Sequence, residues 1–268
     1  MSRVVLTLTT LPTRIVQDYD DGIKSNINAL INQSYGDYEI HFNVPYSYKR
    51  TGELYVVPAW MRELAIADKR FKIYDGLEDL GTCTKIVHTL HRVQDDDAIL
   101  IVCDDDLVYH EHMVAEQVRN QMIYPNTAVG YDGVRCEEKE FPDDDVRQHY
   151  VVSVCRNIYV NHLQHYKTVS YRRKYFTDDY FTDFVGKSWT DDIVTAAHMG
   201  KNGIKRMVTY YQGDECLDTI EKWKEFGGVK TFPVVKHTSH EGAEGCNLIR
   251  MDKIDENYGY FLKMGYLK

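Results

Sequence analysis

Three consecutive carboxylates, Asp104-Asp105-Asp106, follow directly on the apolar run Ala98-Ile99-Leu100-Ile101-Val102-Cys103. Adjacent carboxylates repel one another, so such a cluster is costly unless solvent or a cation offsets the charge. Carboxylate oxygens suit Mg²⁺ or Mn²⁺, ions that bridge a few protein carboxylates to substrate phosphates. In an extended segment Asp104 and Asp106 project to one side and Asp105 to the other. Two more acidic triplets, Asp95-Asp96-Asp97 and Asp143-Asp144-Asp145, lack the strand context and read as solvated turns. A second acid pair, Asp191-Asp192, follows Thr190, whose hydroxyl could cap a helix start where the macrodipole favours negative charge. Later, His237 and His240 lie in Lys236-His237-Thr238-Ser239-His240-Glu241-Gly242. Neutral imidazole is a good Mn²⁺ ligand, and polar surface is the plainer role for a histidine there.

The elements that must carry these groups alternate between two hydrophobic periods. Val4-Val5-Leu6-Thr7-Leu8-Thr9-Thr10 is β-branched, short and bounded by Pro12, which predicts a strand. Ile23, Ile27, Leu30 and Ile31 share one helical face. Residues 38–44 alternate with period two up to Pro45, residues 71–74 form a weaker strand, and Ile86, Leu90 and Val93 repeat the helical spacing. The run 98–103 is apolar on both faces, as in a central parallel strand covered by helices. Alternating strands and helices predict an α/β fold, a doubly wound and mostly parallel open sheet whose ligands sit beyond the carboxyl ends of its strands. In the second half, Val114, Val118 and Met122 predict a helix and residues 127–131 a strand. Residues 136–149 read as an exposed polar loop and 150–160 as a strand, and a helix from Thr190 stops at Gly200 or Gly203. No repeat or linker interrupts the chain, so one domain in two lobes is expected.

The 268 residues can bury a sizeable core, and 21 Tyr, 9 Phe and 3 Trp are too many for a solvated coil. Acidic residues outnumber basic ones, 41 to 32, for a formal net charge of −9, which disfavours a non-specific nucleic acid binder. No apolar run approaches the ~20 residues of a membrane span, and the N-terminus lacks a signal-peptide cleavage pattern. The six cysteines (83, 103, 136, 155, 216 and 246) include no CxxC pair. They fit a reduced compartment, so a soluble, cytoplasmic protein is expected.

A strand ending in a DxD-type acidic motif, after one parallel half-sheet, resembles the GT-A glycosyltransferases. The likeness sharpens to bacterial and viral polysaccharide-type enzymes that open with TTxPxR, here Thr9-Thr10-Leu11-Pro12-Thr13-Arg14. It continues through Asn32-Gln33-Ser34, Asn43-Val44-Pro45 and Asp79-Leu80-Gly81-Thr82-Cys83-Thr84-Lys85, where that group often has D-x-G-P-x-T-K. Then come Val102-Cys103-Asp104-Asp105-Asp106, Tyr124-Pro125, Tyr171-Arg172-Arg173, Trp189-Thr190-Asp191-Asp192-Ile193 and Lys201-Asn202-Gly203-Ile204. The ordered match spans about residues 3–208 and departs at Thr82-Cys83, where Pro-Ala is usual.

The resemblance implies a single domain over residues 1–268, with 1–106 binding the nucleotide sugar and 107–268 forming a smaller acceptor-side lobe. It implies Mn²⁺ or Mg²⁺ and transfer of a sugar from a UDP- or GDP-sugar donor to a glycan or glycoprotein hydroxyl in a bacterium or virus-infected cell. Asp106 is assigned to the metal, Asp104 to the metal or ribose, and Asp105 to the nucleotide side. His240 or His237 is a candidate late metal ligand. Asp191-Asp192 lies where inverting enzymes place their general base, with Asp192 preferred. Thr9, Thr10 and Arg14 are expected either to contact base and diphosphate or to form a Pro12-pinned turn with Arg14 solvated. Asp79 could accept a base N–H and Lys85 could reach a phosphate, or Lys85 is a helix-surface charge. Trp189 and Tyr171 could stack on a sugar, with core packing the default. Three rival functions are a sugar-phosphate nucleotidyltransferase, a glycan-binding module without turnover and, more remotely, a metal-dependent phosphohydrolase. The nucleotidyltransferase calls for a Gly-rich loop where TTLPTR stands, and the inactive module for loss of one acid site.

Overall fold

Every residue of the first strand, Val4–Leu8 (β1), is buried, because helices cover both faces of the sheet it belongs to. The computed structural model describes residues 2–17, 22–135, 150–153, 157–187, 190–209, 234–237 and 260–267. After β1 come α1 (Pro12–Ile15), α2 (Ile23–Ile31), β2 (Glu39–Pro45), α3 (Ala59–Ala67), β3 (Phe71–Leu77), α4 (Thr84–Arg92) and β4 (Ile99–Val102). The second half holds β5 (Leu107–Tyr109), α5 (Met113–Ile123), β6 (Thr127–Gly130), β7 (Asp132–Arg135), β8 (Tyr150–Ser153), β9 (Ile158–Tyr159), β10 (His162–Leu163) and β11 (Val169–Arg172). It ends with α6 (Asp191–Lys201), β12 (Lys205–Val208) and β13 (Val234–His237).

The main sheet has eight strands in the order β3-β2-β1-β4-β11-β6-β12-β9. It is mostly parallel and flanked by helices, the expected class, with β11 antiparallel between β4 and β6 and β9 antiparallel at the edge. Alternate residues face opposite layers. Val4, Leu6, Leu8, Ile99 and Ile101 pack with Ile23, Ile27 and Leu30 of α2 and with Met113 and Val114 of α5. Val5, Leu100 and Val102 pack with Ile86 and Leu90 of α4 and with Ile193, Val194 and Ala197 of α6. Two smaller sheets, β10-β7-β8 and β13-β5, use only residues beyond Asp106.

Three expectations change, and the two alternatives for the end of the last long helix are decided for Gly203. Met122 is 73% exposed, and Gln121 takes the inward place instead, its amide donating to the carbonyls of Thr127 (3.1 Å) and Ser170 (2.9 Å). The single strand read over 150–160 is two, β8 and β9, in different sheets. Helix α6 runs through Gly200 to Lys201, with Gly203 at φ +69 just beyond. Thr190 stands at the N-cap position but its side chain makes no capping bond. The segment 136–149 lies outside the described residues. Among those described, no helix is long and apolar enough to cross a membrane.

At the amino end of β2, Glu39 joins three neighbours. It accepts from Arg3 (2.9 Å), Lys72 (2.7 Å) and His41 (3.1 Å). Burial opposes its charge, but these donors pull the carboxyl down to about 2 from 4.5. A depressed acid stabilises the fold fully above its unfolded pKa and loses that contribution as pH falls through the folded value. Glu39 is 27% exposed, so the effect is discounted for screening. Glu39→Gln is expected to cost about 1 kcal/mol at neutral pH. In urea titrations its deficit should shrink as pH falls from 4.5 toward 2. A deficit independent of pH would show that packing, not charge, is responsible.

Candidate active site

Beyond β4 the chain bends at Asp105 and Asp106 and does not continue extended, so strand alternation stops before the acids. Their division is set by partners. Asp105 is only 7% exposed, and its two oxygens accept from Thr10 Oγ1 and Arg14 Nη1, both at 2.6 Å. Arg14 also reaches Asp106 at 3.2 Å. It is 12% exposed and not a solvated charge, and its guanidinium holds the acid loop. Asp104 and Asp106 keep 26% and 25% exposure. Asn26 donates to the carbonyls of Asp104 (2.8 Å) and Leu107 (2.6 Å), and the Tyr109 hydroxyl accepts the Asp104 N–H (2.8 Å). Burial, with the Asp105 and Asp104 charges, pushes the Asp106 carboxyl up to about 7 although Arg14 opposes this. The loop thus carries more negative charge than its cations offset.

Lys85 is positioned by the turn before α4. Asp79 Oδ1 accepts the Gly81 N–H (2.8 Å) and the Thr84 hydroxyl (3.4 Å), and Oδ2 accepts the Lys49 N–H (2.7 Å), so this carboxylate ties the turn to the loop after β2. Gly81 holds φ +64, which a side chain would strain by about 1 kcal/mol or more. The Thr7 hydroxyl and Asn43 amide donate to the Lys85 carbonyl, docking α4 on β1 and β2. The Lys85 side chain is 7% exposed, its Nζ lying 2.6 Å from Asp104 Oδ1 and 3.1 Å from Asp191 Oδ2. It is no helix-surface charge. Burial would lower its pKa, but Asp104, Asp191 and Asp192 raise it, so it stays an ammonium.

That ammonium joins the two acid sites. Asp191, at the first turn of α6, is 4% exposed and accepts from Lys85 and from His165 Nδ1. Burial would raise its pKa, but Lys85 and His165 hold it well below the usual carboxylate range. Its N–H donates to Thr82 Oγ1 (3.0 Å), so the capping acceptor for α6 comes from the turn before α4. Asp192 is 14% exposed, with Oδ1 3.4 Å from His165 Nδ1. His165 Nε2 meets the Tyr171 hydroxyl at 2.7 Å. His165, Asp191 and Asp192 bring three possible ligand atoms within 4.8 Å, but Lys85 already supplies a positive partner there. Nothing in the spacing of Asn161-His162-Leu163-Gln164-His165 signals His165, and only the fold finds it.

The remaining candidates divide. The Thr9 hydroxyl donates to the Asn43 carbonyl (2.8 Å), tying the ends of β1 and β2. Tyr171 is buried and packs in the core, so it presents no face to a sugar. The backbone of His237 pairs with Leu107, one residue after Asp106. His240 and Trp189 lie outside the described residues. A cleft lined in part by Pro45, Tyr46, Tyr55 and Asp75 opens at the carboxyl ends of β2 and β3, and the Tyr55 hydroxyl donates to the Thr10 carbonyl (3.0 Å).

No protein-family model matches the chain, and neither does any curated protein. Among solved structures it is similar to the mannosyltransferase PcManGT from Pyrobaculum calidifontis in complex with GDP-Man and Mn²⁺. The TM-score is 0.58 and the identity 14%, over 97% of this chain and 64% of that one. The chain thus spans under two thirds of that protein's length. Lower scores are found for a 2-C-methyl-D-erythritol 4-phosphate cytidylyltransferase from Francisella tularensis (TM-score 0.49, identity 12%, 85% of this chain and 99% of that one). A 4-diphosphocytidyl-2C-methyl-D-erythritol synthase follows (0.47, 9%, 84% and 98%). The likeness to the mannosyltransferase shows the fold: the chain has a GT-A-like α/β architecture.

Proposed function

We propose that the protein is a metal-dependent glycosyltransferase of the DxD type that moves a sugar from a UDP- or GDP-sugar to a hydroxyl of a glycan or glycoprotein, with inversion. One observation carries the reading. Two acid sites from opposite halves of the chain meet at the carboxyl end of β4, with Lys85 between Asp104 and Asp191. Ligands of open α/β sheets bind there. Residues 1–106 would hold the donor and residues 107–268 the acceptor, in the manner of the TTxPxR group of GT-A enzymes.

The donor set fits a divalent cation. Asp104 and Asp106 are the more exposed members of a loop with excess negative charge, each with one oxygen on a cation (Lys85 and Arg14), whereas both oxygens of Asp105 are committed to Thr10 and Arg14. A cation held by Asp104 and Asp106 would offset the charge that the leaving diphosphate gains in the transition state. The chain's own residues do the rest. Asp192 takes the proton of the acceptor hydroxyl as its oxygen attacks the anomeric carbon and the bond to the diphosphate breaks. Asp191 is unsuited to that step, because its two cationic partners make it a weak base and it is buried. Thr10, Arg14 and Asn26 hold the acid loop in shape. A nucleotidyltransferase would want a phosphate-binding cation after β1, but Arg14, the cation there, already faces Asp105 and Asp106.

Asp106→Ala tests the reading. Calorimetry of UDP and GDP is expected to show Mn²⁺-dependent binding of one of them to the wild type and none to the variant, with thermal unfolding still cooperative. Unchanged Mn²⁺-dependent binding would remove Asp106 from the site.

A further inference from the structure

The short 3₁₀ turn His165–Lys167 leads into β11 through Thr168, which is fully buried at φ +68. A β-branched residue enters that region only under strain, and such strain persists where surrounding contacts over-determine it. Here they do. Val169 is fixed in register with Val102 and Gly130, so a single residue separates β11 from the turn. The Tyr166 carbonyl accepts from the Tyr109 hydroxyl (3.2 Å), the same oxygen that receives the Asp104 N–H. The Tyr166 hydroxyl donates to Asp132 Oδ2 (2.6 Å), and Lys167 Nζ lies 2.9 Å from that oxygen. His165 completes the set at Asp191 and Asp192. The turn therefore touches the donor-side acid loop through Tyr109 and the acceptor-side acids through His165.

We propose that this turn is a bracket between the two acid sites and that His165 is a positioning residue for the proposed base, an inference resting on the transferase reading. An ionised carboxylate only accepts hydrogen bonds, so Asp191 fixes a proton on Nδ1. Nε2 can either donate to the Tyr171 oxygen or accept its proton, which leaves the Nδ1–H bond intact in both cases. By holding Asp191 against Lys85, the imidazole fixes the first turn of α6 and with it Asp192. The strain at Thr168 is what brings His165 under that turn while β11 keeps its register.

The test compares His165→Asn with His165→Gln. Asparagine places its amide nitrogen near the reach of Nδ1, and glutamine near that of Nε2. In Mn²⁺-dependent turnover of GDP-mannose and UDP-glucose, His165→Asn is expected to keep kcat within about tenfold. His165→Gln should lose roughly 10²-fold, the low end of a positioned base's contribution. The donor KM should stay unchanged in both. Proton NMR of the wild type should show an exchange-protected, low-field imidazole N–H, and the asparagine variant should keep the higher Tm of the two. Equal kcat in the two variants, a loss confined to KM, equal Tm values, or no protected imidazole proton would overturn the bracket. If the wild type shows no Mn²⁺-dependent binding of UDP or GDP while the NMR and Tm results hold, the transferase reading falls and takes the positioning of a base with it, and only the physical link between the two acid sites stands.

Discussion

Lys85→Met is expected to be the most damaging single substitution to stability. Methionine keeps the unbranched stem but removes the ammonium 2.6 Å from Asp104 and 3.1 Å from Asp191. Asp191 is 4% exposed, so solvent cannot take the place of that charge. Breaking a buried pair from one side typically costs about 3–5 kcal/mol, a large part of the ~5–15 kcal/mol that stabilises a domain. The pH dependence has a definite sign. In the wild type Asp191 is depressed, so its contribution is complete above the unfolded value of 3.8 and is lost as pH falls through the lower folded value. Without Lys85 the Asp191 carboxyl rises and takes up a proton in mild acid, which removes the uncompensated charge. The deficit in urea unfolding should therefore be smaller near about pH 5 than near about pH 7.5. An equal deficit at both would mean that lost packing of the stem, not charge, is the cause.

Asp192→Asn should act on chemistry and leave folding nearly intact. The amide keeps the shape of the side chain but cannot take a proton. Turnover should fall by roughly 10²–10⁴-fold, with the affinity for nucleoside diphosphate and Mn²⁺ nearly constant. Asp191→Asn is the internal comparison. It leaves Lys85 and His165 facing a neutral group, so its principal loss should be in Tm. Steady-state kinetics beside calorimetry separate the two outcomes. If Asp191→Asn loses the turnover and Asp192→Asn does not, the base is Asp191, and its low basicity must be relieved by substrate.

Much of the frame was legible because its signals are local. Residues 4–10 read as a strand from β-branching and 98–103 as a buried one from its apolar run, and Ile23, Ile27 and Leu30 of α2 all face the core. Asp104 and Asp106 could be named because they follow such a strand, and Asp191 and Asp192 because Thr190 marks a helix start before them. What escaped was set by partners far along the chain. Lys85 sits at a helix start where a surface charge is plausible, and its buried partners, Asp104 and Asp191, come from distant parts of the chain. Thr190 has the local pattern of a cap, yet the bond to the Asp191 N–H is made by Thr82, 109 positions away. Strand alternation set Asp105 apart from Asp104 and Asp106, but the chain bends at Asp105, and it is Thr10 and Arg14 that decide which carboxylates stay accessible. β11 is four residues with a serine and an arginine, so no local pattern announces that it pairs antiparallel with β4.

The insertion of β11 between β4 and β6 bears on how the chain is assembled during synthesis. The last strand of the first half, Ile99–Val102, has β1 on one side and β11 on the other. A nascent chain emerging from the ribosome exposes that second edge until some seventy further residues have been made. Unpaired apolar edges of this kind are where nascent chains stick to one another. The same delay leaves Lys85 with Asp104 but without Asp191 or His165. Whatever each half does in the finished protein, the two depend on each other to fold.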